Sequence, residues 1–200
     1  MTASSRSDWA LIPNWLSAGR IAAAAALPLM FLFFDRPFAE TAALGLFVGA
    51  AATDFLDGWL ARALGQTSAL GAILDSLADK ALLGATLLAL GATSLMGAWW
   101  FWLCAAIIVA REVGVTWLRS RYGRSGALSV SLAAKWKTVL QMTAAALLLA
   151  VGPVGRWLGP EVGAWTLTAG AVALIGAAWL SVTSGYGYLQ GALRDQRGGG

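Results

Sequence analysis

Apolar runs of about 20 residues follow one another along most of this chain, and nothing else in it constrains the fold as strongly. A helical run of that length matches the hydrocarbon thickness of a bilayer. Stretches such as Ile21 to Phe34 and Leu140 to Val151 show no alternation of polar and apolar residues. A closed barrel is therefore excluded, and the backbone must satisfy its hydrogen bonds within helices. The reading is all-α: a polytopic membrane protein with six transmembrane helices in a single membrane domain over residues 1–200. The spans are expected at about 16–34, 39–62, 70–93, 98–119, 135–151 and 163–189.

The breaks between runs carry turn chemistry. Asp35, Arg36 and Pro37 mark the first, and Ser94 to Gly97 a later short one. Gly152 to Gly163, with two prolines and four glycines, reads as a longer loop. Trp9, Ile12, Trp15 and Leu16 recur at helical spacing after a polar start, which predicts an interfacial helix at about 9–16. Cleavage of this segment as a signal peptide is disfavoured, because Asp35, Arg36 and Pro37 follow the apolar run in place of small residues.

Charge gives orientation. With the amino terminus inside, only Arg36 and Arg156 of the fourteen Lys and Arg fall in outer loops. Positive-inside bias then puts both termini in the cytoplasm. The same orientation accounts for the net charge of +4 without nucleic acid. Cys104 is alone in an apolar segment, so it reads as packing and no intrachain disulfide can form. Histidine is absent, which leaves a carboxylate, a perturbed lysine or tyrosine, or bound hydroxide as a general base.

Against a background only 12% charged, four aspartates stand out: Asp54 and Asp57, then Asp75 and Asp79. Each would cost roughly 2.5–3.5 kcal/mol at a bilayer centre, so the group demands compensation. Spacings of three and four place each pair on one helix face, and a turn around Gly65 to Ser68 would bring both pairs together. Oxygen-only ligation and a charge of minus four suit two divalent cations, Mg²⁺ or Mn²⁺, better than zinc. Gly58 and Gly71 beside these acids open space for a diphosphate, and Arg62 can offer it a bidentate fork. Helix packing is the bland account of such glycines, and it is the account given to Gly45 and Gly49.

A second group is basic. Arg111 and Arg119 roughly share a helix face, and Lys135 and Lys137 follow, two apart and pointing differently. An acceptor phosphate could be held there, with Glu112 as a competing neutraliser of Arg111. Arg121 and Arg124 are assigned to anionic lipid headgroups. Trp99, Trp100 and Trp102 read as an interfacial aromatic belt.

Asp54, Asp57, Gly58, Ala61, Arg62, Gly71, Asp75 and Asp79 together resemble the signature of the CDP-alcohol phosphotransferase family. The resemblance implies a six-helix, usually dimeric membrane enzyme; the charge bias puts its active site on the cytoplasmic side, and a bacterial inner membrane is the expected setting. In such an enzyme a CDP-linked lipid lies over two metal ions and an alcohol displaces CMP. It implies Asp54, Asp57, Asp75 and Asp79 as metal ligands, Asp79 also as general base, and Gly58, Ala61, Arg62 and Gly71 as CDP-lipid contacts. Ile12 to Ser17 with Arg20, Ala110 to Thr116, and Lys135 to Gln141 resemble the bacterial branch, particularly its actinobacterial type, that uses CDP-diacylglycerol and glycerol 3-phosphate. Ser76 departs from the proline many relatives carry there. Siblings making cardiolipin or phosphatidylinositol phosphate, an ion transporter with intramembrane aspartates, and a structural adaptor are the competing readings.

Overall fold

A computed structural model describes the backbone at residues 12–64, 69–93, 98–122 and 132–198, and side chains within 17–54, at 75, and within 77–93, 98–117 and 136–186. The elements are α1 (Ile12–Phe33), α2 (Arg36–Leu64), α3 (Ala69–Ala92), α4 (Trp99–Tyr122), α5 (Leu132–Leu158) and α6 (Pro160–Gly198). Six helices and no strand among the described residues bear out the expected fold class. Positions 9–11 of the expected interfacial helix lie outside the described residues. Its remainder, from Ile12, belongs to α1.

The exterior is more apolar than that of a water-soluble bundle, and several polar groups are buried within. Arg20, Glu40, Lys137 and Gln141 are buried, while Trp99, Trp165, Trp179 and Val172 stand exposed on the outside. An exterior this apolar suits lipid contact, and buried charge of this kind marks function or pairing. Parts of α4, α5 and α6, at Trp99–Trp117, Trp136–Leu158 and Pro160–Tyr186, are long and apolar enough to cross a membrane, and Ser17–Phe33 forms a shorter apolar stretch.

The core is built by Leu27, Phe47, Leu82, Leu90, Phe101, Ile108, Leu148 and Leu174, contributed by all six helices. Neighbours in sequence are not always neighbours in space. Helix α1 packs along both α2 and α3, which touch each other only sparingly, and α6 lies against α5 and α4. Consequently α1 can present a side chain to the faces of α2 and α3 at once.

The expected loop at 152–163 is corrected. Helix α5 runs through Pro153 to Leu158, a single residue intervenes, and α6 starts at Pro160. Gly159 has φ +102°, a left-handed turn that a side chain would strain, and Pro160 opens the next helix where no backbone donor is required. The other glycines serve packing: a Cβ on Gly163 would lie 2.9 Å from the Cα of Gly155 across this hairpin. Gly91 likewise leaves room for the Trp102 ring, so Trp102 packs between α3 and α4, a role the reading as an aromatic belt did not include.

The reading of Gly45 and Gly49 as tight-packing residues is also corrected. A Cβ on either, or on Gly19, would meet nothing within 4 Å. These positions, with Ala23 and Thr53, border a cavity of about 330 Å³ between α1 and α2.

Candidate functional site

Asp54 lies well along α2, and Asp75 and Asp79 lie one turn apart near the start of α3. A helical spacing of four keeps the latter two on one face. One carboxylate oxygen from each of Asp54, Asp75 and Asp79 falls within 4.8 Å of the others. The expected convergence of the two acidic pairs is thus realised for these three side chains. Asp57, Gly58, Ala61, Arg62 and Gly71 lie on α2 and α3, but their side chains are outside the described residues.

Arg20 of α1 completes the cluster, and sequence reasoning did not assign it a place there. Its Nη1 lies 2.6 Å from Asp54 Oδ1, 2.9 Å from Asp75 Oδ1 and 2.7 Å from Asp79 Oδ1. The arginine side chain is fully buried, while the three acids keep 30–46% of their side-chain surface exposed. A signal was present in the sequence: an arginine inside an apolar run must find carboxylates, and the surplus of acids lay on the next two helices.

These residues fit a divalent cation. The donors are all carboxylate oxygens, they converge on one point, and that point already holds positive charge. Hard cations such as magnesium and manganese require such a set.

The basic group is assembled between α4 and α5. Lys137 Nζ donates to Glu112 Oε1, and Arg111 Nη1 lies 3.3 Å from the same oxygen. Lys137 thus points inward, and the side chains of Lys135 and Arg119 lie outside the described residues. Helix α6 closes this group from behind: a Cβ on Gly185 would sit 3.3 Å from Arg111 Cγ, and Gln141 Nε2 reaches Ser181 Oγ at 3.4 Å. Lys80, next to Asp79, donates to Thr116 Oγ1 at 2.6 Å, and Thr116 Oγ1 donates to the Glu112 carbonyl at 2.7 Å. The acidic and basic groups are thereby tied together through one lysine that sequence reasoning passed over.

A third ion pair lies at the far end of α2. Arg156 Nη1 meets Glu40 Oε2 at 2.5 Å, and its Nη2 donates to the Pro37 carbonyl at 3.0 Å and to Thr41 Oγ1 at 3.3 Å. Glu40 rests against Gly152, where a side chain would collide with the carboxylate. Fourteen residues separate Glu40 from Asp54, or about 21 Å of helix at 1.5 Å per residue.

Comparison with known proteins agrees with the residue pattern. A CDP-diacylglycerol–glycerol-3-phosphate 3-phosphatidyltransferase of Cereibacter sphaeroides is 45% identical over 142 residues, which cover 70% of this chain and 63% of that relative. The match thus spans somewhat less than two thirds of the relative's length. The CDP-alcohol phosphatidyltransferase family model matches residues 10–182, taking in Arg20, all four aspartates and the basic group, and the chain belongs to that family.

Proposed function

We propose that this protein is a phosphatidylglycerophosphate synthase, transferring the phosphatidyl group of CDP-diacylglycerol to glycerol 3-phosphate with release of CMP. The observation that carries the reading is the convergence of Asp54, Asp75 and Asp79 around one positively charged point. The name of the Cereibacter relative supports the choice of acceptor. The setting is a bacterial inner membrane, with both termini and the active site cytoplasmic and the chain forming a homodimer.

Asp54, Asp57, Asp75 and Asp79 would hold two divalent cations, Mg²⁺ or Mn²⁺, which when bound supply neutralisation of the diphosphate and of the departing CMP. The remaining chemistry belongs to the chain's own groups. Asp79 takes the proton from the 1-hydroxyl of glycerol 3-phosphate, that oxygen attacks the lipid-side phosphorus, and the bond from phosphorus to the CMP oxygen breaks. Gly58, Ala61, Arg62 and Gly71 line the place of the CDP moiety. Arg111 and Lys137, with Arg119 and Lys135 from the same two helices, attract the acceptor's phosphate, and among the described side chains two cations meet one carboxylate, Glu112, which favours an anion there. The cavity between α1 and α2 supports the placing of a lipid tail, because its small-residue walls run from Gly45 to Thr53, the residue before Asp54.

The test is purified protein with CDP-diacylglycerol, Mg²⁺ and a panel of labelled acceptors. Selective CMP release with glycerol 3-phosphate is expected. Selective use of phosphatidylglycerol or inositol phosphate would move the protein to a sibling activity, and no CMP release with any acceptor would favour a transporter.

A further inference from the structure

Three carboxylate oxygens surround a single nitrogen of Arg20 at 2.6–2.9 Å. A guanidinium normally meets carboxylates through its planar fork, each oxygen facing its own N–H. One Nη carries only two hydrogens, so three oxygens exceed its donors. These three carboxylates are therefore arranged around Nη1 as ligands are arranged around a point cation. The guanidinium is also fully buried on α1, whereas the acids stay partly open to solvent. A cation can thus reach the acids from solvent, to which the guanidinium is closed.

We propose that Arg20 is an internal competitor of the divalent cation: it holds the three carboxylates together when no cation is bound, and a cation entering the cluster displaces its Nη1. The inference rests on the reading of Asp54, Asp75 and Asp79 as cation ligands. Like-charged side chains this close repel one another unless a positive charge is shared among them. Arg20 supplies that charge and keeps the ligands converged before loading. The same contact sets a penalty on loading, because the cation must replace three charge-assisted contacts with its own. Once displaced, the guanidinium stays tethered to α1 beside the cavity it borders with Gly19 and Ala23.

The experiment compares metal binding and stability, without turnover, in wild type, Arg20→Gln and Arg20→Lys. Mn²⁺ affinity is read from the free-ion electron paramagnetic resonance signal, and thermal unfolding is followed in detergent with and without Mn²⁺. Arg20→Gln is expected to unfold at lower temperature when metal-free, to regain stability with Mn²⁺, and to bind Mn²⁺ roughly tenfold more tightly or better, a factor of ten being about 1.4 kcal/mol. Arg20→Lys, a point charge on a different stem, should fall between the two and covers the case of an unfolded glutamine variant. In wild type labelled with ¹⁵N-arginine, Mg²⁺ should shift one guanidinium resonance, the one missing from Arg20→Lys.

Equal or weaker Mn²⁺ binding in the folded variants, or an Arg20 resonance that ignores saturating Mg²⁺, would overturn the competition. Failure of the underlying reading looks different, since wild type itself would then bind no divalent cation.

Discussion

The acidic cluster of α1, α2 and α3 and the basic cluster of α4 and α5 are electrostatic opposites. Among the described residues, three carboxylates surround one guanidinium in the first, and one carboxylate serves two cations in the second. Neither set of described side chains is neutral, and in an apolar bundle an imbalance of charge carries a large desolvation cost unless something else completes it. The acidic cluster calls for cations and the basic one for an anion. The pair Glu40 and Arg156, on the same helix as Asp54 at its far end, is balanced one to one and calls for nothing. Under the proposed function, imbalance separates groups that await a ligand from those that join helices.

The severest challenge to this contrast is metal removal. Chelation should abolish CMP release entirely, and Mg²⁺ or Mn²⁺ should restore it. Full turnover in rigorously metal-free protein would mean that the acids are completed by Arg20 alone, and the distinction between the clusters would fail.

Next in size is Asp79→Asn, which keeps the shape of the side chain but cannot take a proton. The expected loss in kcat is about 10²–10⁴-fold, with metal-dependent CDP-lipid binding largely retained. Asp54→Asn should instead weaken cation binding and turnover together, because it removes charge from the cluster. Comparison of the two, each first checked for folding by size-exclusion in detergent, assigns the base. Near-normal turnover in Asp79→Asn removes it from that role.

On the basic side the effect is smaller and selective. Arg111→Ala deletes one charge-assisted contact worth about 1.5–3 kcal/mol, so KM for glycerol 3-phosphate should rise roughly tenfold or more. KM for CDP-diacylglycerol should stay within about twofold. Equal rises in both constants would recast the Arg111–Glu112–Lys137 group as helix packing, no different in kind from Glu40 and Arg156.

The sequence foretold the acidic half of this comparison better than the basic half. Helical spacing places Asp75 and Asp79 on one face whatever surrounds them, and six apolar runs determine a bundle. Two kinds of information were not local. Arg20, Glu40 and Lys80 each find partners on other helices, 34 or more residues away for Arg20 and 36 for Lys80, and spacing along one helix says nothing of such partners. Glycine and proline misled at 152–163 because turn chemistry learned from water-exposed loops also describes close helix packing. Gly155 and Gly163 let backbones touch, and only Gly159 turns the chain. The reverse error fell on Gly45 and Gly49, where small residues left a cavity and not a contact. Spacing predicts that Lys135 and Lys137 diverge but not which is buried, and packing buries Lys137.

The mildest substitution probes the balanced pair. Arg156→Gln removes a partner of Glu40, a carboxylate only 5% exposed and pressed against Gly152. Arg156 keeps about a third of its side chain in contact with solvent, so water can replace part of what is lost. A destabilisation of about 1–3 kcal/mol follows from leaving a buried acceptor poorly satisfied, read as a lower unfolding temperature in detergent. kcat/KM at a permissive temperature should be unchanged, since the pair lies about 21 Å along α2 from Asp54. Adding Glu40→Gln should then return part of the stability, because the charge left alone is the larger part of the damage. A fall in kcat/KM without loss of stability would show that a balanced pair can also serve the chemistry, and charge imbalance would lose its value as a guide to the site.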